Sequence, residues 1–110
     1  MEPKQLAGLG RYTGPATLIL SSLAAGDKHG YALTKDIEQF AAVHLSPGTL
    51  YGALTRLVDQ GLIEAVASDD ERRRPYRITP AGTTALHTQL SEQRRVADVG
   101  LRRLARGATS

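Results

Sequence analysis

The stretch SPGTLYGALTRLVDQGLIE, Ser46–Glu64, decides the fold. Ser46 is a good N-cap, because its hydroxyl can accept from a first-turn amide that has no partner inside the helix. Pro47 suits the first helical position, where a missing N–H costs nothing. Gly61 is a good stop, since glycine enters the left-handed conformation that ends many helices without a Cβ clash. Between these signals Leu50, Leu54, Leu57 and Val58 recur at helical spacing and make one apolar stripe. With Leu50, Leu54 and Leu57 set inward, Gly48, Gly52, Thr55, Arg56 and Asp59 turn outward, and Thr49 and Tyr51 fall on the flanks.

Working outward, PATLILSSLAA from Pro15 to Ala25 reads as a helix with proline in its first turn, ended by Gly26. Its Leu18, Ile19, Leu20 and Leu23 point in several directions, the mark of a helix buried on most sides. A second helix runs from about Gly30 to Ala42, with Leu33, Ile37, Phe40 and Ala41 on one face and Lys35, Glu38 and Gln39 on the other. The short turn Val43-His44-Leu45 joins it to Ser46. Beyond Gly61, Leu62-Ile63-Glu64-Ala65-Val66 and Tyr76-Arg77-Ile78-Thr79 read as two strands around the polar segment Ser68–Arg73, a β-hairpin. Thr79-Pro80 repeats the cap-plus-proline signal and opens a last helix, to about Arg106. The expected class is mainly α with a small β-hairpin (α+β): an N-terminal arm over 1–13, a winged helix-turn-helix domain over 14–79, and a long C-terminal dimerisation helix and tail over 80–110.

Composition narrows the chemistry. The chain has 110 residues, 41% of them apolar, enough for a packed core of one small domain. It has no cysteine, so disulfides, thiolate nucleophiles and thiolate metal sites are excluded. His29, His44 and His87 are scattered with no metal-ligand spacing, and His29 reads as a packing or capping residue. There is no Ser-His-Asp pattern and no phosphate loop, so neither enzyme activity nor a cofactor is expected. No apolar run approaches the roughly 20 residues that span a bilayer. A cytoplasmic protein without a membrane partner is expected. The formal charge is only +3, but Arg72, Arg73 and Arg74, followed by Arg77, concentrate positive charge at the hairpin.

Two helices joined by a short turn and followed by a hairpin form a winged helix-turn-helix, in which the third helix enters the DNA major groove. The outward face of that helix suits such a task. Gly48 and Gly52 cost up to about 1 kcal/mol each in a helix interior, but they allow close approach to a surface. Thr49, Tyr51, Thr55 and Arg56 supply donors for phosphates or base edges. Arginines at the hairpin tip would add phosphate contacts whose strength falls with salt. The competing reading is a winged-helix module that binds a protein through the same helix or wing.

HGYALTKDIE (His29–Glu38), SPGTLYGALTRLVDQGLIE and ERRRPYRITPAG (Glu71–Gly82) closely resemble the signature blocks of PadR-like regulators, over roughly Thr13 to Leu90. The resemblance implies a sequence-specific, winged-helix homodimer that binds a palindromic operator in duplex DNA and represses until a small-molecule effector releases it. By position, Ser46, Thr49, Tyr51, Thr55 and Arg56, around the outward Gly52, would carry recognition-helix contacts. Arg72, Arg73, Arg74 and Tyr76 would carry the wing, and Tyr31 and Lys35 would touch the DNA backbone. This chain departs from the pattern at Pro75-Tyr76, where the family shows two adjacent tyrosines. Proline cannot donate to a strand ladder. Relatives with a single C-terminal helix hold ligands between protomers, the best-known mode using a stacking tryptophan on that helix. This chain has no tryptophan, so that mode does not carry over and the effector stays open.

On the last helix Leu86, Leu90, Ala97, Leu101 and Leu104 fall within about 60°, with Gln93 in the same seam. Alone this stripe would be exposed, so a partner helix is the economical solution. The part around Leu86 and Leu90 can also pack on its own domain. Asp98 is spaced to pair with Arg94 and Arg102, and Gly100 marks a close crossing or a kink.

Overall fold

The computed structural model describes residues 14–70 and 73–109. The expected arm, 1–13, lies outside them, as does Arg72. Three helices, α1 (Pro15–Leu23), α2 (Gly30–Ala41) and α3 (Pro47–Asp59), precede the hairpin β1 (Ile63–Ala65) and β2 (Tyr76–Ile78), and α4 (Pro80–Thr109) closes the chain. The element order is that of the winged helix-turn-helix expected from the sequence, with a long C-terminal helix appended.

The core forms around α1. It packs against α2, α3, α4 and β2, which is why a nine-residue helix can be apolar on nearly every side. Ile19, Leu33, Ile37, Leu54, Leu57 and Ile63 are almost wholly buried, and Leu18, Leu20, Leu23, Leu45, Leu50, Ala53 and Leu86 complete the cluster. Two expected core positions are corrected. Phe40 is 51% exposed, because the buried row of α2 runs along Leu33, Ile37 and Ala41 at four-residue steps and leaves Phe40 on its flank. Val58 is 40% exposed, because Ala53 joins Leu50, Leu54 and Leu57 and draws the buried stripe of α3 away from it.

Helix ends follow their signals. His29 caps α2, its Nδ1 accepting from the Ala32 amide at 3.4 Å. Gly61 adopts φ 73° after α3. There the amides of Gly61 and Leu62 donate to the Val58 and Leu57 carbonyls, each at 3.0 Å, the paired bonds of a Schellman stop. Thr79 caps α4: its Oγ1 accepts from the Gly82 amide at 3.0 Å and donates to the Gly61 carbonyl at 2.7 Å.

β1 and β2 pair antiparallel with Ile63 opposite Ile78, Glu64 opposite Arg77 and Ala65 opposite Tyr76. A third segment, invisible in the sequence pattern, flanks them. The Lys28 amide donates to the Tyr76 carbonyl at 3.2 Å, and the Tyr76 amide donates to the Lys28 carbonyl at 2.9 Å. Pro75 fits because its position calls only for an acceptor: its carbonyl takes the Val66 amide at 2.8 Å.

Gly82 is where α4 crosses the start of the hairpin. A Cβ there would lie 2.0 Å from the Leu62 carbonyl oxygen and 2.9 Å from Ile78 Cγ1. Gly82→Ala should therefore destabilise the fold by about 1–3 kcal/mol, as overpacking does. Gly52→Ala, whose Cβ meets only Arg56 Nη1 at 3.9 Å, should gain up to about 1 kcal/mol of helix propensity. Denaturant midpoints of the two variants check the contrast, and equal behaviour would contradict the close crossing.

Candidate nucleic-acid interface

On α3, Thr49, Tyr51, Thr55 and Arg56 are exposed along with Gly48, while Leu50, Ala53, Leu54 and Leu57 face the core. Gly52 is half-buried, with the Arg56 side chain lying near it. Part of the expected polar inventory is used inside the helix. Ser46 Oγ accepts from the Thr49 amide at 3.3 Å and donates to Thr49 Oγ1 at 3.0 Å, so its hydroxyl serves as the cap. Thr55 Oγ1 donates to the Tyr51 carbonyl at 2.9 Å.

Tyr31 and Lys35 stand beside this face on α2. Tyr31 is 68% exposed, with Lys35 Nζ 5.5 Å from its ring centroid, a cation–π contact that holds the ammonium near the ring. Tyr51 reaches across from α3: a Cβ on Gly30 would be 2.6 Å from its hydroxyl. The two tyrosines, Lys35, Pro47, Glu38 and His44 line a cleft of about 350 Å³ between the helices. His44 and Glu38, joined Nδ1 to Oε1 at 2.5 Å, bridge the end of α2 to the turn before α3. No spacing rule pairs residues six apart across a turn, so the sequence concealed this contact.

The wing carries less free charge than its sequence promises. Arg73 and Arg74 are exposed. Arg77 instead grips the Asp27 carboxylate, Nη2 to Oδ2 at 2.9 Å and Nε to Oδ1 at 3.3 Å, with Glu64 4.0 Å away. The hydrogen bond and the charge of Asp27 raise the Arg77 pKa further above its ordinary value. Tyr76 is half-buried and packs against the core, so its backbone fixes the wing while Arg73 and Arg74 stay at the surface. The wing is tied to the helices through Lys28, whose Nζ donates to the Ser22 carbonyl at 2.5 Å and lies 4.0 Å from Asp36. Buried Ser22 closes the link by donating to Asp36 Oδ2 at 2.6 Å. Among the described residues no group of His, Asp or Glu is arranged to hold a metal, and no helix is long and apolar enough to cross a membrane.

The model of the PadR-like family of transcriptional regulators matches residues 19–88. The chain belongs to that family. Transcriptional regulator Rv3488 of Mycobacterium tuberculosis is 43% identical to this PadR-like chain over 70 residues, which are 62% of this chain and 64% of that one. The chain thus spans less than two thirds of the length of the curated relatives it matches. A PadR family regulator from hypervirulent Clostridium difficile superposes with TM-score 0.71 at 30% identity, over 77% of this chain and 92% of that one. One from Eggerthella lenta superposes with TM-score 0.73 at 29% identity, over 92% of this chain and 88% of that one, so the likeness takes in much of α4.

The remaining expected residues lie on α4. Leu86 is 7% exposed and belongs to the core of its own chain. Leu90 is 40%, Leu101 66% and Leu104 72% exposed, Ala97 is exposed and Gln93 half-exposed. Val96, off the expected seam, is 70% exposed. Asp98 belongs to none of the ion pairs among the described residues, so its pairing with Arg94 and Arg102 is corrected. An exposed pair four residues apart gains little against the entropy of two long side chains.

The capping role of Ser46 is separable from any contact it makes outside the chain. Ser46→Ala should cost about 1 kcal/mol of stability, and Ser46→Asp, which restores the acceptor, should recover most of it. Thermal unfolding of the purified variants reads both, and an unaffected alanine variant would remove the cap from the account.

Proposed function

We propose that this PadR-like regulator is a homodimeric, sequence-specific DNA-binding protein in which α3 enters the major groove and the wing meets the phosphate backbone. The observation that carries the reading is the outward face of α3. Gly48 and Gly52 leave it low, Thr49, Tyr51 and Arg56 supply donors, the Thr55 hydroxyl, whose proton goes to the Tyr51 carbonyl, offers an acceptor, and Tyr31 and Lys35 stand next to it. A helix that approaches base edges closely needs little bulk at its centre and donors on its flanks. Arg73, Arg74 and Arg72 would add salt-dependent phosphate contacts. The winged domain comprises 14–79, and 80–110 joins two copies. The output is repression, relieved by a small-molecule effector, because a dimer seated on an operator blocks access to it. The protein works in the cytoplasm, where that operator lies, and catalyses no reaction.

Two-fold symmetry supports the dimer. Two half-sites about 34 Å apart need a rigid link between the recognition helices. α4 is the candidate, since its Leu90, Ala97, Leu101 and Leu104, with Gln93, are exposed in one chain and coverable by another. Leu86 contributes by anchoring the helix to its own domain.

Selection of bound sequences from random duplex DNA should yield a palindrome. Gly52→Glu should then fold normally and lose operator binding through bulk and repulsion of phosphates. Replacing Arg72, Arg73 and Arg74 with alanine should weaken binding to all sequences and flatten the salt slope by about 0.9 per lost phosphate contact. A folded Gly52→Glu variant with full operator affinity would remove this face of α3 from the DNA interface.

Leu101→Asp with Leu104→Asp should dissociate the dimer, because charge enters the seam. Operator affinity should fall far more than affinity for scrambled duplex, the lost term being the second half-site. Light scattering gives the mass and titration the two affinities. A monomer that keeps full operator affinity would show that α4 does not organise the DNA-binding unit.

A further inference from the structure

The polar side chains on the outward face of α3 differ in what they can still reach. The Thr55 proton goes to the Tyr51 carbonyl at 2.9 Å. Thr49 is short and sits at the N-terminal cap, its hydroxyl accepting from Ser46 Oγ at 3.0 Å. Tyr51 leans towards α2, its hydroxyl 2.6 Å from where a Cβ on Gly30 would stand. Arg56 is the long donor that stays over α3 itself. It is exposed and belongs to none of the ion pairs among the described residues.

The Arg56 Cα lies about 110° from the mean direction of the buried Leu50, Ala53, Leu54 and Leu57, on the flank of the helix. Gly52 lies about 150° from that direction, close to the outermost line. Helical side chains lean towards the N-terminus and cover the turn before their own Cα. For Arg56 the covered position is Gly52, and a Cβ there would be 3.9 Å from Arg56 Nη1. Arg56 stands in the last turn, where a cation complements the helix dipole. Its guanidinium, however, lies a turn back, away from the terminal carbonyls. Asp59, at the three-residue spacing of an ion pair, stands on the other side of the Arg56 Cα and pairs with nothing among the described residues.

Position on the face separates a base contact from a phosphate contact. A helix with its side chains is about as wide as the major groove, roughly 12 Å. Groups on its outermost line meet the groove floor, and groups on its flanks meet the phosphate walls. Asp59 is exposed about 20° from Gly52 on the wheel and would repel a phosphate there. On the floor only guanine presents two acceptors, O6 and N7. Adenine offers an acceptor beside a donor, thymine an acceptor beside a methyl group, and cytosine a donor. The planar fork of a guanidinium, which donates and never accepts, matches guanine alone.

We propose that Arg56 is the specificity-determining residue of α3 and reads one guanine in each operator half-site, its guanidinium brought to the outermost line because Gly52 has no side chain. The proposal rests on operator recognition by α3 and names what that face recognises.

The test selects bound sequences from random duplex DNA with the full chain and with Arg56→Ala. The unaltered chain should yield a palindrome with one G·C pair fixed in each half-site. Arg56→Ala should leave that pair open and keep the other preferences. Exchanging the pair for A·T should weaken binding by the unaltered chain about 5- to 150-fold, whereas Arg56→Ala should bind both duplexes equally. Placing 7-deazaguanine at the same position, which keeps base pairing and lacks N7, should weaken the unaltered chain and leave Arg56→Ala indifferent. Circular dichroism checks the helix, and Arg56→Gln replaces the alanine variant if it does not fold. A palindrome unchanged by the substitution, with affinity lowered equally on every duplex, makes Arg56 a phosphate contact and overturns the proposal. Recognition by α3 survives that outcome if Gly52→Glu still abolishes operator binding. Duplex binding by the unaltered chain with no sequence preference sinks recognition by α3, and this proposal with it.

Discussion

Burial of α1 is the constraint on which the rest of the molecule depends. Every other helix presents one apolar stripe, but α1 presents apolar side chains nearly all round, and α2, α3, α4 and β2 each cover part of it. A fully buried leucine or isoleucine contributes about 1.5–3 kcal/mol, and Leu18, Ile19, Leu20 and Leu23 are at most 5% exposed. Because these elements share one small helix, none can shift without opening a void in the common core. The outward face of α3 and the position of the wing are thereby set by residues that touch neither.

Polar ties add what close packing alone leaves loose. A two-stranded hairpin is marginal in water. Here Lys28 adds a third backbone segment along β2, and its ammonium is fastened to the end of α1 and, through Asp36, to α2. Asp27 holds Arg77 on the same edge. The Asp27-Lys28 pair thus anchors the wing and also removes one arginine from the free charge of the hairpin. Which cations remain available is decided by these partners more than by the run of arginines in the chain.

α4 combines two environments in one helix. Its first turn is wedged against the hairpin at Gly82, and Leu86 enters the core. From Leu90 onward leucines, Val96 and arginines stand exposed. A helix of this length draws its stability from packing an amphipathic face, and within one chain only its start is so packed.

The sequence by itself determined the element order, the helix caps and the inward stripes, because these depend on residues a few positions apart. Ser46, Pro47 and Gly61 bounded α3, Thr79 and Pro80 opened α4, and the outward residues of α3 were legible from its leucines. Only the tertiary structure decided which flanking positions are covered, and so Phe40 and Val58 proved exposed while Ala53 and Leu86 proved buried. It alone brought Asp27 to Arg77 across 50 residues, Ser22 to Asp36 and Lys28 to Tyr76. The reason is physical. Local spacing dictates the direction of a side chain on its own helix, but its partner is whatever the folded chain places opposite, and that depends on how all the stripes close around α1 at once.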